Sequence, residues 1–356
     1  MTLEDTLPPE ESGVSARGAA ELGLEPMAPL TLAGVKNTDD LLRQMSKTAF
    51  TGRLLGEAVD VAEAMLRDDC HVVLTLTGAM TMAGLNPLII TMLERKWVHA
   101  IVSTGALVGH GLVEDLGLKH YKARGDVSDD DYLARRLNRV YDTVEPEDNL
   151  DSMERVVRRI FRDLANAGTE PVGTHELLRF LGQKLPGRGV LQTAAKLGVP
   201  VYIPAFTDSE LGLDFAVHLE ARRRLGRQVR LYDGFRDLVH FREMCAGVIA
   251  DGRKLGIFTV GGGVPRNWAQ QVGPYADIRH KRMQLEGEGE AVRYCYGIRI
   301  CPDPVHYGHL SGCTYSEGVS WGKFIPRSEG GRYAEILLDA TVGWPLLAQA
   351  LIDRDL

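Results

Sequence analysis

The hydrophobic positions of the chain follow two spacings. Between Asn37 and Asp68, apolar residues recur at i, i+3 and i+4, which predicts amphipathic helices. Further along, short apolar runs alternate with helical stretches, the pattern of a parallel sheet covered by helices on both faces. We therefore predict an α/β fold with a doubly wound, mostly parallel sheet. Residues 1–36 are expected to form a flexible N-terminal arm, and residues 37–356 a single α/β domain.

Five apolar runs end in small residues, hydroxyl residues or an acid, and a helical pattern follows each one. They are residues 71–76, 100–102, 201–205, 256–260 and 335–338. In open α/β sheets, ligands bind outside the carboxyl ends of the strands, where small residues admit a phosphate or ribose and helix N-termini supply amide donors. The set predicts a nucleotide site, although any one turn could be a tight βα connection. The dinucleotide fingerprint GxGxxG is absent, and the Gly261–Gly263 triplet could equally be a packing turn.

Charge and cysteine content narrow the class of protein. The chain of 356 residues has a formal net charge of -7, which argues weakly against nucleic acid or an anionic membrane as the main partner. Its 5 cysteines are odd in number and form no CxxC pair, which favours reduced thiols and a cytoplasmic location and makes a zinc site unexpected. The acidic N-terminus does not look like a targeting peptide, and no apolar run is long enough to span a bilayer.

A late segment carries the first chemical candidate. Glu317-Gly-Val-Ser-Trp-Gly-Lys323 combines an acid, a tryptophan and a lysine. A neutral lysine amine can hold a substrate as a Schiff base, a tryptophan face can cover a cationic amine, and a carboxylate can pair with an ammonium. A lone lysine is more often a solvated surface residue, so the assignment needs support from other segments.

The run Glu-x-x-Ser-Trp-Gly-Lys resembles the active-site lysine motif of deoxyhypusine synthase. Other segments similar to that family occur in the same order over roughly Thr48 to Leu347. They are Thr48-Ala-Phe-Thr-Gly-Arg-Leu-Leu-Gly-Glu-Ala-Val, Leu76-Thr-Gly-Ala-Met-Thr-Met-Ala-Gly84, Ser103-Thr-Gly-Ala, Pro204-Ala-Phe-Thr-Asp-Ser-Glu-Leu-Gly212, Gly261-Gly-Gly-Val and Asp339-Ala-Thr-Val-Gly-Trp-Pro-Leu-Leu. Ordered matches over this length are specific to the family.

The resemblance implies an NAD-binding catalytic domain and a defined chemistry. In that family NAD takes a hydride from a carbon beside the secondary amine of spermidine. The aminobutyl group then passes as an imine to a lysine, matched here by Lys323, and on to an acceptor amine as the hydride returns. The residues expected at NAD are Gly78, Ala79, Ser103, Thr104, Gly105, Asp208, Gly261, Gly262, Gly263, Asp339 and Ala340. Glu317 and Trp321 match positions that contact the polyamine.

The amine side departs from the family pattern. The family's paired glutamates align without a gap to Gly109 and His110, although a small insertion could bring in Glu114 and Asp115 instead. The family's histidine after the glycine triplet is Asn267 here. Losing acids weakens the case for a substrate with several ammonium groups, because each desolvated cation needs a partner.

These departures suggest replacements. The family's Asp-Gly-Ser-Asp-Ser-Gly stretch becomes Tyr307-Gly-His-Leu-Ser-Gly312, which makes His309 and Ser311 candidates for substrate binding. His110 and Asn267 are candidates for catalysis beside Lys323. A neutral histidine could act as a base, or could equally fill a hydrogen-bonding slot.

The pattern is more similar to the deoxyhypusine synthase-like branch than to the synthase that modifies a translation factor. The leading hypothesis is an NAD-dependent aminobutyl transferase that uses small-molecule amines and no metal. Alternatives are the true synthase, homospermidine synthase, and an NAD-binding protein without turnover. By resemblance we expect a homotetramer with active sites between subunits, and no nucleic-acid or membrane partner.

Overall fold

The computed structural model describes residues 18–286 and 291–356. The helices are α1 (Thr38–Met45), α2 (Phe50–Arg67), α3 (Asn86–Glu94), α4 (Gly105–Asp115), α5 (Asp129–Ala134), α6 (Glu147–Asn166), α7 (Thr174–Lys184), α8 (Val190–Leu197), α9 (Glu210–Arg224), α10 (Gly234–Ala250), α11 (Gly263–Gln270), α12 (Val272–Arg282), α13 (Tyr315–Ser320) and α14 (Ala340–Asp353). The strands are β1 (His71–Leu76), β2 (Ala100–Ser103), β3 (Tyr121–Lys122), β4 (Leu137–Val140), β5 (Thr143–Pro146), β6 (Val201–Tyr202), β7 (Leu255–Val260), β8 (Tyr294–Ile300) and β9 (Arg332–Ile336).

Six strands form one parallel sheet in the order β6-β2-β1-β7-β8-β9. Counted along the chain, these strands stand in the order 3-2-1-4-5-6, which is the doubly wound arrangement of dinucleotide-binding folds. The strand order reverses between β1 and β7, so the crevice outside their carboxyl ends is the expected position of a ligand. The predicted α/β class with a mostly parallel sheet is confirmed.

Two hydrophobic cores cover the two faces of this sheet. Alternate residues of a strand point to opposite faces; accordingly Val72, Leu74 and Leu76 belong to one core and Val73 to the other. The first core is completed by α2 and its neighbours, through side chains such as Leu55. The second core is completed by α10 to α12. Helices therefore cover both faces of the sheet, and the carboxyl ends of its strands remain the place where a ligand can approach.

Four of the five predicted strand regions differ from the observed strands by one to three residues at their ends. The run at 71–76 matches β1 at both ends. The sequence reading omitted β8, whose Gly297 and Arg299 interrupt the apolar pattern. The helical pattern from Asn37 to Asp68 is resolved into α1 and α2. Of the predicted arm, residues 1–17 lie outside the described residues, and residues 18–36 lie mostly at the surface.

A second, small sheet lies beside α4. Its three antiparallel strands are ordered β3-β5-β4, and a hairpin with Tyr141 at φ 53° joins β4 to β5. This sheet places the buried carboxylate of Glu145 against α4. Among the described residues, no helix has the length and apolar character needed to cross a membrane.

Candidate active site

Helix N-termini converge at the carboxyl edge of the large sheet. The helices α4, α11 and α14 begin within four residues of the ends of β2, β7 and β9, and α9 follows the loop after β6. Helix N-termini carry unpaired amide donors and a partial positive charge, so such an edge favours an anion such as a phosphate. The predicted NAD residues all lie in these turns or in the turn after β1.

The turns after β1 and β7 interlock at the point where the strand order reverses. The hydroxyl of Thr77 accepts a hydrogen bond from the amide of Gly262 at 2.8 Å. A Cβ on Gly261 would lie 2.0 Å from that hydroxyl oxygen, and Gly261 itself has φ 78°, so only glycine fits there. Gly78 has φ 73° and is exposed, which leaves the backbone of this turn accessible.

The turns after β2 and β6 are packed together in the same way. A Cβ on Gly105 would lie 2.1 Å from the Cβ of Ser209, so these two turns are in direct contact. Ser103 is buried, and the buried hydroxyl of Thr104 makes no hydrogen bond to any described residue. Asp208, one residue before Ser209, is exposed. The two turns therefore place an unpaired buried hydroxyl and an exposed carboxylate at the same edge of the sheet.

The last of these turns follows β9. Asp339 is exposed, and its carboxylate caps α14 by accepting a hydrogen bond from the amide of Thr341 at 2.8 Å. Ala340 is buried at the first position of the helix. A small buried residue beside a capping acid allows a ligand to approach the backbone closely.

Lys323 is held by a tight turn that ends α13. Gly322, with φ 65°, reverses the chain, and the amide of Lys323 donates to the carbonyl of Gly318 at 3.0 Å. The Lys323 carbonyl then accepts a hydrogen bond from the amide of Tyr294, the first residue of β8. The backbone of the lysine is thereby fixed to the large sheet, which restricts where its amine can reach.

The amine of Lys323 points into the protein. The residue is 7% exposed, and Nζ donates a hydrogen bond to Oδ1 of Asn267 at 3.1 Å. Burial lowers the pKa of Lys323 below its ordinary value, and the charge of Arg266 lowers it further, whereas Cys313 and Glu317 act in the opposite direction. A lowered pKa increases the neutral fraction of the amine, which is the form that attacks a carbonyl or imine carbon.

The glycine turn and Lys323 are connected through one segment, residues 311–313. A Cβ on Gly262 would lie 2.3 Å from the Cβ of Ser311, so the segment packs directly on the turn after β7. The guanidinium of Arg266 donates to the carbonyl of Cys313 at 2.7 Å. Arg266 and Asn267 are neighbours on α11, so a single short helix links the glycine turn, this segment and the lysine amine.

The other residues predicted for the amine side lie around this segment. The side chains of Glu317 and Trp321 are exposed, with Trp321 at 65%. His309 is also exposed, with Nδ1 3.7 Å from Oδ2 of Asp303. The hydroxyl of Ser311 donates to the same carboxylate. The structure therefore joins His309 and Ser311 through Asp303, and leaves Glu317 and Trp321 exposed in the helix and turn that lead to Lys323.

His110 occupies a different environment. It is buried on α4, and its Nδ1 lies 2.7 Å from Oε2 of Glu145 in the small sheet; no contact with Lys323 is found within the described part of the chain. Burial would raise the pKa of Glu145, but the hydrogen bond with His110 and the nearby imidazole of His120 outweigh it and lower the pKa to about 2. Glu114 lies on the same face of α4 and approaches His120, whereas Asp115 packs against Gly189.

Sequence reasoning missed four residues of the site: Arg266, Arg299, Asp303 and Cys313. Asp303 follows β8 and obeys the rule that selected Asp208 and Asp339, so recognition of β8 would have found it. The two arginines are buried because they donate to carbonyls of the segment 311–313. No local pattern identifies them, since their partners lie 12 to 47 residues away.

Comparison with known proteins agrees with this architecture. The family model described as deoxyhypusine synthase matches residues 40–351, and the chain belongs to that family. A probable deoxyhypusine synthase of Archaeoglobus fulgidus is 32% identical, with 92% of this chain and 97% of that protein covered. A probable deoxyhypusine synthase of Methanosarcina acetivorans is 30% identical, with 92% and 90% covered.

Relatives named deoxyhypusine synthase and relatives named deoxyhypusine synthase-like have similar sequence identity to the chain. A deoxyhypusine synthase-like protein of Chlorobaculum parvum is 31% identical, with 88% of this chain and 85% of that protein covered. Among solved structures, a crystal structure provisionally assigned as a deoxyhypusine synthase from Entamoeba histolytica has a TM-score of 0.57 at 14% identity and covers 91% of this chain and 96% of its own. That likeness supports the fold alone.

Proposed function

We propose that this chain is an NAD-dependent transferase that moves an aminobutyl group from a polyamine such as spermidine to an acceptor amine through an imine on Lys323. The observation that carries the proposal is the buried amine of Lys323, which is hydrogen-bonded to Asn267 and has a lowered pKa. A lysine without a chemical role usually lies at the surface with its ammonium group in water. The amine of Lys323 instead lies inside the protein against a side-chain oxygen, as an imine-forming lysine requires.

The residues at the carboxyl edge of the sheet fit NAD. Gly78 and the Gly261–Gly263 turn would admit the pyrophosphate beside the N-terminus of α11. The exposed carboxylates of Asp208 and Asp339 are suited to ribose hydroxyls, and the unpartnered hydroxyl of Thr104 offers a further polar contact. Bound NAD would accept a hydride from the carbon beside the secondary amine of the donor and return it at the end of the cycle, so the reaction is redox-neutral.

The chain's own residues divide the remaining work. Asn267 orients the amine of Lys323, which attacks the oxidised carbon of the donor; a C–N bond forms to the lysine and the diamine leaves. Glu317 and Trp321, both exposed beside the lysine turn, would receive the ammonium end of the donor. The acceptor amine then attacks the lysine imine and releases Lys323.

A small amine is the preferred acceptor. The position of the family's conserved histidine is taken by Asn267, which cannot carry charge, and His309 stands in a segment that has lost family acids. Of the family's polyamine contacts, the sequence match keeps one acid, Glu317, which favours a substrate with few charges. The resemblance to the family implies a homotetramer with active sites between subunits, and the exposed indole of Trp321 is available for such a contact.

Labelled spermidine and NAD, offered with putrescine or with a purified translation factor, would test the proposal. We expect label to appear in a new polyamine when putrescine is present. Lys323→Ala should abolish transfer, whereas Lys281→Ala, at an exposed lysine near the end of α12, should leave it unchanged. Transfer that survives Lys323→Ala, or no transfer to any amine, would contradict the proposal; label on the translation factor would identify the true synthase instead.

A further inference from the structure

Three side chains converge between α4 and the small sheet. They are His110 from α4, His120 from the loop before β3, and Glu145 from β5. One ligand atom from each lies within 4.8 Å of the other two. His110 Nδ1 is 2.7 Å from one carboxylate oxygen of Glu145, and His120 Nε2 is 3.4 Å from the other.

Within the described part of the chain, this cluster contains buried polar atoms that make no hydrogen bond. Neither ring nitrogen of His120 makes a hydrogen bond, and the same holds for Oε1 of Glu145, a residue that is 1% exposed. Next to them, Oγ1 of Thr81 and Oδ1 of Asn86 are also buried without a hydrogen bond. Each unpaired buried polar atom costs free energy, so several in one place indicate that a polar group belongs among them.

We propose that His110, His120 and Glu145 bind a divalent transition-metal ion of the Zn²⁺ type. Two imidazoles and one carboxylate are a common ligand set for such ions. Two ligands held about 2.1 Å from a metal at a tetrahedral angle are about 3.4 Å apart. The separation between His120 Nε2 and Glu145 Oε1 is 3.4 Å, so this pair of donors already stands at the required spacing, and His110 Nδ1 lies within 4.8 Å of both residues' ligand atoms.

The residues around the cluster fit the same assignment. Oε1 of Glu114 lies 3.6 Å from Nδ1 of His120, the ring nitrogen opposite the one that faces Glu145. Asn86 donates to the other oxygen of Glu114 at 2.6 Å and fixes that carboxylate. Metal-binding histidines commonly donate their second N–H to a carboxylate, and Glu114 is the carboxylate on that side of the His120 ring.

A path for the metal exists. A cavity of about 470 Å³ opens beside the cluster, and its lining includes Glu114, His120, Gly84 and Lys122. A metal here would join α4, whose first residue stands in the turn after β2, to the small sheet. The site is therefore distinct from the segment that carries Lys323. Among the described residues, His110, His120 and Glu145 make no contact with that segment.

Metal binding to the purified full chain tests the proposal directly. Protein stripped with EDTA and dialysed would be titrated with Zn²⁺ by calorimetry, and its metal content measured by mass spectrometry. We expect about one Zn²⁺ per chain, a raised melting temperature with Zn²⁺, and a tetrahedral absorption spectrum with Co²⁺. His120→Gln or Glu145→Gln should weaken binding by at least about 100-fold.

Two further variants keep the test decisive. Glu114→Gln leaves His110, His120 and Glu145 in place and alters the outer contact of His120 together with that of Asn86, so we expect binding about 10- to 100-fold weaker in a folded protein. His306→Gln removes an exposed histidine outside the cluster and should bind as the wild type does. Failure of the wild-type chain to retain Zn²⁺, or equal affinity in the wild type and Glu114→Gln, would overturn the proposal even if His120→Gln does not fold.

Discussion

The amine of Lys323 donates a hydrogen bond to the side-chain oxygen of Asn267 over 3.1 Å. The two residues are 56 positions apart in sequence, and one closes the turn after α13 while the other lies in the second turn of α11. The contact joins the lysine to the helix that begins at the glycine turn. Through α11, the lysine predicted to form the imine is therefore connected to the edge of the sheet predicted to bind the cofactor.

A charged partner at Asn267 would shift the pH dependence of imine formation. Asn267→Asp places a carboxylate within hydrogen-bonding distance of the amine and should raise the pKa of Lys323, because an adjacent negative charge favours the ammonium form. Since only the neutral amine attacks, the rate of imine formation should rise at correspondingly higher pH than in the wild type. The pH profile of the rate of borohydride-trapped adduct measures this shift.

The control for that shift is Asn138→Asp, an exposed asparagine in β4. Its profile should coincide with that of the wild type, because among the described residues Asn138 contacts neither Lys323 nor Asn267. Coincidence of the Asn267→Asp profile with the wild-type profile would show that Asn267 does not influence the reacting amine.

The packing of Gly262 on Ser311 should not tolerate a methyl group. A Cβ at Gly262 would lie 2.6 Å from the backbone Cα of Ser311, and that backbone can move only if the segment leading to Lys323 moves too. We expect Gly262→Ala to destabilise the fold by about 1–3 kcal/mol and to reduce adduct formation on Lys323. Urea unfolding and adduct yield give the two readouts.

The matched substitution is Gly247→Ala in α10, where an added Cβ would meet no atom within 4 Å. Alanine is favoured over glycine inside a helix, so this variant should be neutral or more stable by up to about 1 kcal/mol. Equal stability of the two variants would argue that Gly262 is not a packing constraint.

Asp115 should make stability fall as pH rises. Burial raises the pKa of Asp115 to about 6, with a contribution from the charge of Glu114, although Gln192 acts in the opposite direction. The unfolded residue ionises near its ordinary pKa of about 3.9, so stability is lost between about pH 4 and about pH 6 and stays reduced above that. Asp115→Asn should be more stable by about 1–2 kcal/mol at neutral pH and lack this slope. If the stability of both proteins changed with pH in the same way, the ionisation of Asp115 would not be the cause of the slope.

Arg354 connects the last helix to the first two. Its side chain is 2% exposed and lies 2.6 Å from Asp39 and 2.8 Å from Asp60, with Glu63 also in contact. Arg354→Met would leave three carboxylates without their shared partner and should cost about 2–3 kcal/mol, below the largest values for buried pairs because Asp60 is exposed. Arg354→Lys keeps the charge but loses the guanidinium fork, so its loss should be smaller. Chemical denaturation of both variants measures the difference, and equal losses would show that the charge is not what matters.

The sequence predicted the features that arise from local patterns. The strand His71–Leu76 and the turns after five of the six parallel strands could be read because apolar runs end abruptly in small or acidic residues. The burial of Lys323 and its contact with Asn267 could not be read, since they depend on how the segment 311–313 packs on the glycine turn. β8 was missed because a charged residue, Arg299, stands in its interior. Its partners, Ser311 and Glu335, come close to it only in the folded chain.

His110 shows the same limit on the other side of the sheet. Its apolar neighbours on α4 indicate burial, but its partner Glu145 is 35 residues away on the small sheet. The sequence offered a gap-free alignment that placed His110 at the amine site and an insertion that would place Glu114 and Asp115 there. The structure puts His110 and Glu114 on one helix face, around His120, which no motif had singled out.

The measurement that bears most directly on the central claim is reductive trapping on Lys323. The wild-type chain would be incubated with NAD and spermidine, then with a panel of other amines, reduced with borohydride, digested and mapped by mass spectrometry. We predict an aminobutyl adduct on Lys323 that requires NAD and is absent from Lys323→Arg. The absence of an adduct with every amine tested, or an adduct on a different lysine, would contradict the account.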